Sequence, residues 1–208
     1  MKKLTKKQKF LNFIAIFLIV VCGLIATCNI TCLIKAEINY KHNIKAWNDY
    51  GHTGIINDQA DFKNIKFGFG DVDMNGCGAV SVYNILVLEG RYVPLYEIVH
   101  QYDMCGENVF GLGGSRPSMV VKTLKNYGFD VSYTFNKANF EKMAINSKYA
   151  IYVYFGCNRA NGFFGHYQLM YDFDGAKFKT INITGKYTFG KITTIPNTLF
   201  EMMIVVNY

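Results

Sequence analysis

Proline is scarce: three residues in 208, all after position 93. That excludes a proline-rich linker, and no internal repeat or low-complexity tract divides the chain. No CxxC pair occurs, and the four histidines (His42, His52, His100, His166) are scattered. A structural zinc site therefore has no support, and no cofactor is expected. An arginine-rich stripe is also missing. The formal charge is +7, from 22 basic and 15 acidic residues, but Lys2, Lys3, Lys6, Lys7 and Lys9 fall in the first nine positions. The remainder, 17 basic against 15 acidic, is near balance. That removes the electrostatic case for a nucleic-acid partner. Long polar stretches are few as well. Half the residues are apolar and 16% aromatic, which excludes disorder and leaves room for one domain with a sizeable core.

The lysine cluster leads into an apolar run, Phe10 to Ile34, interrupted only by Asn12, Gly23, Thr27, Asn29 and Thr31. About 20 helical residues cross a hydrocarbon core of roughly 30 Å. Lysines before the run and few charges after it orient the N-terminus to the cytoplasm and the rest outside. The expectation is a cell-membrane protein with a single pass and an extracellular C-terminal domain. A cleaved signal peptide, giving a secreted protein, is the alternative. Lipidation at Ile25-Ala26-Thr27-Cys28 fits poorly, because Thr27 precedes the cysteine. The chain then divides into a basic cytoplasmic tail (1–9), an anchor (10–34), a polar juxtamembrane linker (35–66) and a domain (67–208).

Of six cysteines, Cys22, Cys28 and Cys32 belong to the apolar run, and Cys77, Cys105 and Cys157 to the domain. Three is odd, so at least one thiol there is free unless it pairs between chains. Cys105 and Cys157 are either a disulfide pair or two buried thiols.

Within the domain, Ala79, Val82, Tyr83 and Leu86 follow helical spacing and Gly90 ends that helix. A second helix is expected over Pro94–Tyr102. A third starts at Arg116-Pro117 with Ser115 as its cap and stops at Gly128. Asp130 to Phe135 reads as a strand, followed by a short helix around Ala138–Ile145. The period then changes to two over Tyr149–Gly156, His166–Phe173, Lys177–Ile183 and Phe200–Tyr208. Asp174-Gly175 marks a hairpin turn. Helices first and an antiparallel sheet afterwards define an α+β fold.

Cys77 stands at the start of the first of these helices, between Gly76 and Gly78. A catalytic thiol must ionise near neutral pH, against a free pKa of about 8.5. A helix start favours the anion. The flanking glycines leave the backbone open to a substrate carbonyl. The Cys77 N–H can face the developing oxyanion. His166, in Gly165-His166-Tyr167-Gln168-Leu169-Met170, opens an apolar strand and is the expected base. A third residue orienting the imidazole belongs on the next strand, where Asn182 lies. Asn182 also begins an Asn-Ile-Thr sequon, but the lysine-heavy, bacterial style of the chain argues against glycosylation. Aromatic Phe163, Phe164 and Tyr167 either form an apolar subsite or pack the domain.

The order of Cys at a helix start, His on a strand and Asn on the next strand resembles papain-like cysteine peptidases, and three short motifs recur in one branch of them. They are Asn75-Gly-Cys-Gly-Ala79, Asn126-Tyr127-Gly128-Phe129 and Gly165-His166-Tyr167. Over residues 67–208 the chain most resembles the branch of bacteriocin leader peptidases that cut after double glycine, with their stand-alone relatives. The resemblance implies a papain-like domain of helices on an antiparallel sheet. It implies a Cys77–His166–Asn182 triad that hydrolyses an amide bond in a peptide or protein substrate. The family usually carries a glutamine six residues before the nucleophile as an oxyanion donor. Position 71 is Asp71 instead; Asn75 is the substitute donor, and Gln59 is the nearest upstream glutamine. Loss of such a donor costs about 10²–10³ in rate. A non-catalytic peptide-binding module and an acyltransferase or deamidase on the same fold are the alternatives.

Overall fold

The structure, a computed structural model, describes residues 5–105, 114–158, 162–181 and 198–207. The side chains of Cys105, Asn158 and Phe163 lie outside that description.

Helix α1 (Lys6–Tyr50) is a single rod of 45 residues. Thr5 caps it, with Gln8 returning the bond to the Thr5 N–H at 2.9 Å. Gly51 ends it in the left-handed region at φ 59°, a conformation glycine adopts without a Cβ penalty. Its N-terminal part is long and apolar enough to cross a membrane. Three of its polar residues are satisfied on the helix itself. Thr27, Asn29 and Thr31 donate to the carbonyls of Gly23, Ile25 and Thr27 at 2.8–2.9 Å.

The stalk expected over 35–66 is not a stalk. Helix α1 continues through it, and Ala36, Asn39, Asn43 and Trp47 form a buried stripe. Beyond Tyr50, Ile56, Phe62 and Ile65 join the main core. A 3₁₀ turn (Gln59–Phe62) lies on the way to a small hairpin of β1 (Lys66–Phe67) and β2 (Gly70–Asp71). Asn43 donates to the Lys66 carbonyl at 2.8 Å and accepts the Lys66 N–H at 2.7 Å. Asn39 donates to the Gly68 carbonyl at 2.9 Å. Helix residues four apart rise about 6 Å, and extended residues two apart span about 6.6 Å. The two asparagines therefore match the hairpin edge bond for bond. Trp47 Nε1 adds a bond to the Tyr92 hydroxyl at 2.9 Å.

A short turn of helix, α2 (Val72–Asn75), precedes α3 (Cys77–Leu88). Every residue of α3 from Cys77 to Leu86 is buried. A helix apolar on all sides belongs inside a core, and α3 occupies the centre of the domain. Helices α4 (Leu95–Cys105) and α5 (Pro117–Asn126) pack against it. Arg116, not Ser115, occupies the N-cap of α5, and no side chain bonds there.

The sheet contains β3 (Asp130–Thr134), β4 (Tyr149–Asn158), β5 (Gly162–Tyr171), β6 (Lys179–Ile181) and β7 (Thr198–Asn207). Its order is β3-β7-β4-β5-β6, antiparallel throughout. The α+β expectation holds at that level: helices first, then an antiparallel sheet. The turn between β5 and β6 forms where Asp174-Gly175 predicts it. Asp174 Oδ1 accepts the N–H groups of Ala176 and Lys177 at 2.9 Å, and Gly175 has φ 94°. One sheet face, including Val153, Tyr167, Leu169, Met202 and Ile204, shares the core of α3 and α5. The other, with Tyr152, Tyr154, Met170 and Met203, packs on Phe140 and Ala144 of α6 (Phe140–Ile145).

Candidate active site

Cys77 is the first residue of α3, and Gly76 precedes it as the N-cap. Helix starts carry N–H groups without intrahelical partners. Here the backbone N–H groups of Cys77 and Gly78 face the Cys77 sulfur and favour its anion. A third donor comes from far along the chain, the backbone N–H of Tyr167. Burial pushes the thiol pKa up to about 11, and these three donors act against that rise.

Tyr167 explains how the helix meets the sheet. Among the described residues, β6 covers the outer edge of β5 only from Leu169 to Tyr171. At Tyr167 helix α3 takes that edge instead. The Tyr167 N–H serves Cys77, and the Tyr167 carbonyl faces Ser81 Oγ at 3.5 Å. Ser81 also donates to the Cys77 carbonyl at 2.8 Å, one helical turn back. The Tyr167 hydroxyl donates to the Ser115 carbonyl at 2.7 Å. Cys77, Ser81, Ser115 and Tyr167 thus form one buried, bonded unit. Ser115 serves this unit rather than capping α5.

His166 is the residue before Tyr167, one Cα step of about 3.8 Å away. It is 5% exposed and lies against Tyr154, with ring centroids 6.1 Å apart. Strand alternation puts it on the face opposite the Tyr167 side chain. Cys77 belongs to the core on the Tyr167 face and meets the β5 edge at the Tyr167 backbone, one residue along from His166. The other three histidines are engaged elsewhere. His42 and His52 bond the Asn64 and Gly54 carbonyls at 3.0 and 2.8 Å, and His100 lies 3.5 Å from Glu37. Asn182 lies outside the described residues; β6 before it ends at Ile181, paired with Leu169.

The glycines beside Cys77 answer to packing rather than to substrate. A Cβ on Gly78 would fall 2.8 Å from the Ser115 Cβ, and one on Gly76 would fall 2.5 Å from the Val72 carbonyl. Asn75 is buried, and its amide donates to the Phe67 carbonyl at 3.3 Å. Asp71 caps α2, its Oδ1 accepting the Met74 N–H at 3.1 Å. The carboxylate therefore has a structural task at the position where the resembled family has glutamine. Gln59 reaches this region after all: buried, it donates to the Asp73 carbonyl at 2.5 Å, inside α2. Eighteen residues separate it from Cys77 in sequence, but the chain folds back through the 3₁₀ turn.

Tyr167 is buried and committed to Ser115, so it offers no open subsite. Phe164 is half-buried beside Tyr154, 6.3 Å between centroids, and the Phe163 side chain lies outside the described residues. An apolar surface on the sheet face that carries Tyr167 comes from other strands. Gly165 pairs with Phe155, which pairs with Phe200. The Phe155 ring lies 3.2 Å from where a Gly165 Cβ would be, and Phe200 meets Phe135 at 5.7 Å. Phe155 and Phe200 are 42% and 37% exposed. Cys157 is exposed and carries no disulfide among the described residues. No three His, Cys, Asp or Glu side chains converge as a metal site among the described residues.

In three dimensions the chain is similar to the peptidase domain of Streptococcus ComA, a bi-functional ABC transporter involved in a quorum-sensing pathway. The TM-score is 0.42 and the identity 14%, over 66% of this chain and 94% of that one. That likeness is too faint to carry a function. No family model and no curated protein matches the chain.

Proposed function

We propose that the chain is a membrane-anchored cysteine peptidase of the papain-like type, with Cys77 as nucleophile and His166 as its base. One observation carries the reading. The Cys77 sulfur sits at a helix start and receives the N–H of Tyr167, the residue beside His166. Burial alone favours the neutral thiol, so reaction requires a proton acceptor, the role we give to the His166 imidazole. The thiolate attacks the amide carbonyl carbon. The oxyanion is met by N–H groups at the α3 start, with the Asn75 amide as a further donor. The imidazolium gives its proton to the leaving amine as the C–N bond breaks. Water, deprotonated by His166, then cleaves the thioester, releasing the acid and restoring the thiol. Asn182 is the proposed orienting residue for the imidazole. Phe155 and Phe200 supply an apolar surface for substrate side chains. The five N-terminal lysines lie in the cytoplasm and the domain on the other side.

A peptidyl thiol-reactive probe on the full chain tests this reading. Labelling of Cys77 is expected, with loss in Cys77→Ser and His166→Ala. Intact, folded protein that takes no label at Cys77 would sink it. The second reading is a non-catalytic peptide-binding module. It draws on the 9% exposure of Cys77 and on Asp71 being committed to helix capping. It predicts peptide binding that survives Cys77→Ser with no turnover in either protein.

A further inference from the structure

Helix α1 does not break between its apolar run and the domain. The domain is therefore fixed to the spanning segment by a rod, and its height over the bilayer is set. The run of 25 residues from Phe10 to Ile34 is about 37 Å long as a helix, against a hydrocarbon core of roughly 30 Å. Its last turn accordingly reaches headgroup level.

The domain touches α1 at that level. Cys32, Lys35 and Ala36 line a narrow crevice together with Gly68, Phe69 and Asp103. Gly68 and Phe69 are the turn of the β1–β2 hairpin. The Gly68 N–H is held by Asp103 at 2.8 Å, and its carbonyl by Asn39. Three large apolar side chains are exposed around this turn: Phe69 at 51%, Met74 at 73% and Met104 at 40%. Met104 follows Asp103, and the Met74 sulfur lies 3.5 Å from where a Gly70 Cβ would be. Water is a poor partner for such a cluster, and the spanning helix brings a bilayer to its side.

We infer that Phe69, Met74 and Met104 form a foot seated in the interface of the same bilayer that α1 crosses. Charges of both signs border the patch, Lys35 in the crevice with Phe69 and Asp71 on the Met74 N–H, so the contact is apolar and needs no anionic lipid. The foot also positions the candidate site. The Asn75 amide bonds the Phe67 carbonyl on this hairpin, and Asn75 is two residues from Cys77. The nucleophile is thus held at the membrane surface. Resting on the peptidase reading, this names the substrate class: a peptide lying on or emerging from the bilayer, cleaved where it meets the interface.

The test uses the full chain in phosphatidylcholine nanodiscs, with lipid brominated near the glycerol end of its acyl chains as quencher. Trp47 is the only native tryptophan and is buried in the domain. Phe69→Trp and Met74→Trp each add a reporter. The added emission should be lost in brominated lipid while Trp47 emission in the parent is unchanged. Equal emission of both variants in plain and brominated lipid would overturn the foot. The substrate clause is read separately, with Phe69→Asp/Met74→Asp. Cleavage of a lipid-anchored peptide should fall about tenfold or more, as expected for a substrate misplaced by an ångström or more. Cleavage of its soluble counterpart should hold; equal loss on both overturns that clause. Failure of Cys77 to react would end the peptidase reading and leave the quenching result standing.

Discussion

The backbone N–H of Tyr167 faces the sulfur of Cys77, where the first residue of α3 meets the edge of β5. That N–H favours the thiolate, yet burial outweighs it and holds the thiol pKa at about 11. A thiol with a raised pKa is neutral at physiological pH. Alone, Cys77 would alkylate with a rate rising about tenfold per pH unit until its pKa is passed. An imidazole acting as general base changes the profile, because once neutral it accepts the thiol proton in the attack and the rate is level through neutral pH. The expected result is a plateau near neutrality in the parent and a steady climb in His166→Ala. Rates at Cys77 are read by peptide mass spectrometry, since Cys22, Cys28 and Cys157 are exposed and will react too. Coincident profiles would remove His166 from the reaction.

Gly78 is held by contact rather than by backbone conformation. A methyl group there meets Ser115 Cβ at 2.8 Å and Val120 Cγ2 at 3.2 Å, on a segment that also anchors Tyr167. Overpacking of this kind costs about 1–3 kcal/mol. Gly78→Ala should lose that much in urea unfolding, and Cys77 labelling should slow as the start of α3 is displaced. Gly54→Ala, with nothing within 4 Å of the new methyl, is the control and should be near neutral.

Strong periodicity made much of the fold legible. Ala79, Val82, Tyr83 and Leu86 announced α3, and Asp174-Gly175 announced the β5–β6 turn at its observed place. What polar side chains do at close quarters leaves no such periodic trace. Asn39 and Asn43 bury through hydrogen bonds, so no hydrophobic period betrays the stripe, and 35–50 reads as a loose stalk. Asn84 escapes for the same reason. Fully buried in an apolar helix, it exchanges two bonds with Ile56, at 2.8 and 2.9 Å. At the site, Cys77 and His166 could be nominated because their chemistry is rare and their flanks are distinctive. The Tyr167 backbone beside the Cys77 sulfur has no side-chain signature. Glycines 76 and 78 looked like openings because sequence carries no information on what a Cβ would meet.

Asn43 replaces a strand residue at the edge of β1, taking both the N–H and the carbonyl of Lys66. Removing it leaves two backbone groups without partners in a half-buried place. Such a loss costs about 1–3 kcal/mol. Asn43→Ala should therefore lower the unfolding free energy of the detergent-solubilised chain by roughly 2 kcal/mol. Lys45→Ala, on the exposed side of the same helix, should change it by less than about 0.5 kcal/mol. Equal effects from both would mean that α1 does not clamp the domain as described.

Glu201 offers a test of the opposite sheet face. Glu201 is 5% exposed, and its carboxylate accepts from Lys137 Nζ at 2.6 Å, from the Tyr152 hydroxyl at 2.9 Å and from the Thr198 hydroxyl. Desolvation works to raise its pKa, but Lys137, Thr198 and Tyr152 together outweigh it and hold the carboxyl below the usual range. A folded-state pKa below the unfolded one makes ionised Glu201 stabilising. That contribution is complete above the unfolded pKa of about 4.3 and is lost as pH falls through the folded value. Glu201→Gln keeps the shape but leaves Lys137 without its counter-charge. The variant should be less stable than the parent by about 1–3 kcal/mol at neutral pH. The gap should narrow below about pH 4.3, as the parent carboxylate takes up its proton. A gap independent of pH would mean that the lost stability comes from packing, not from the charge.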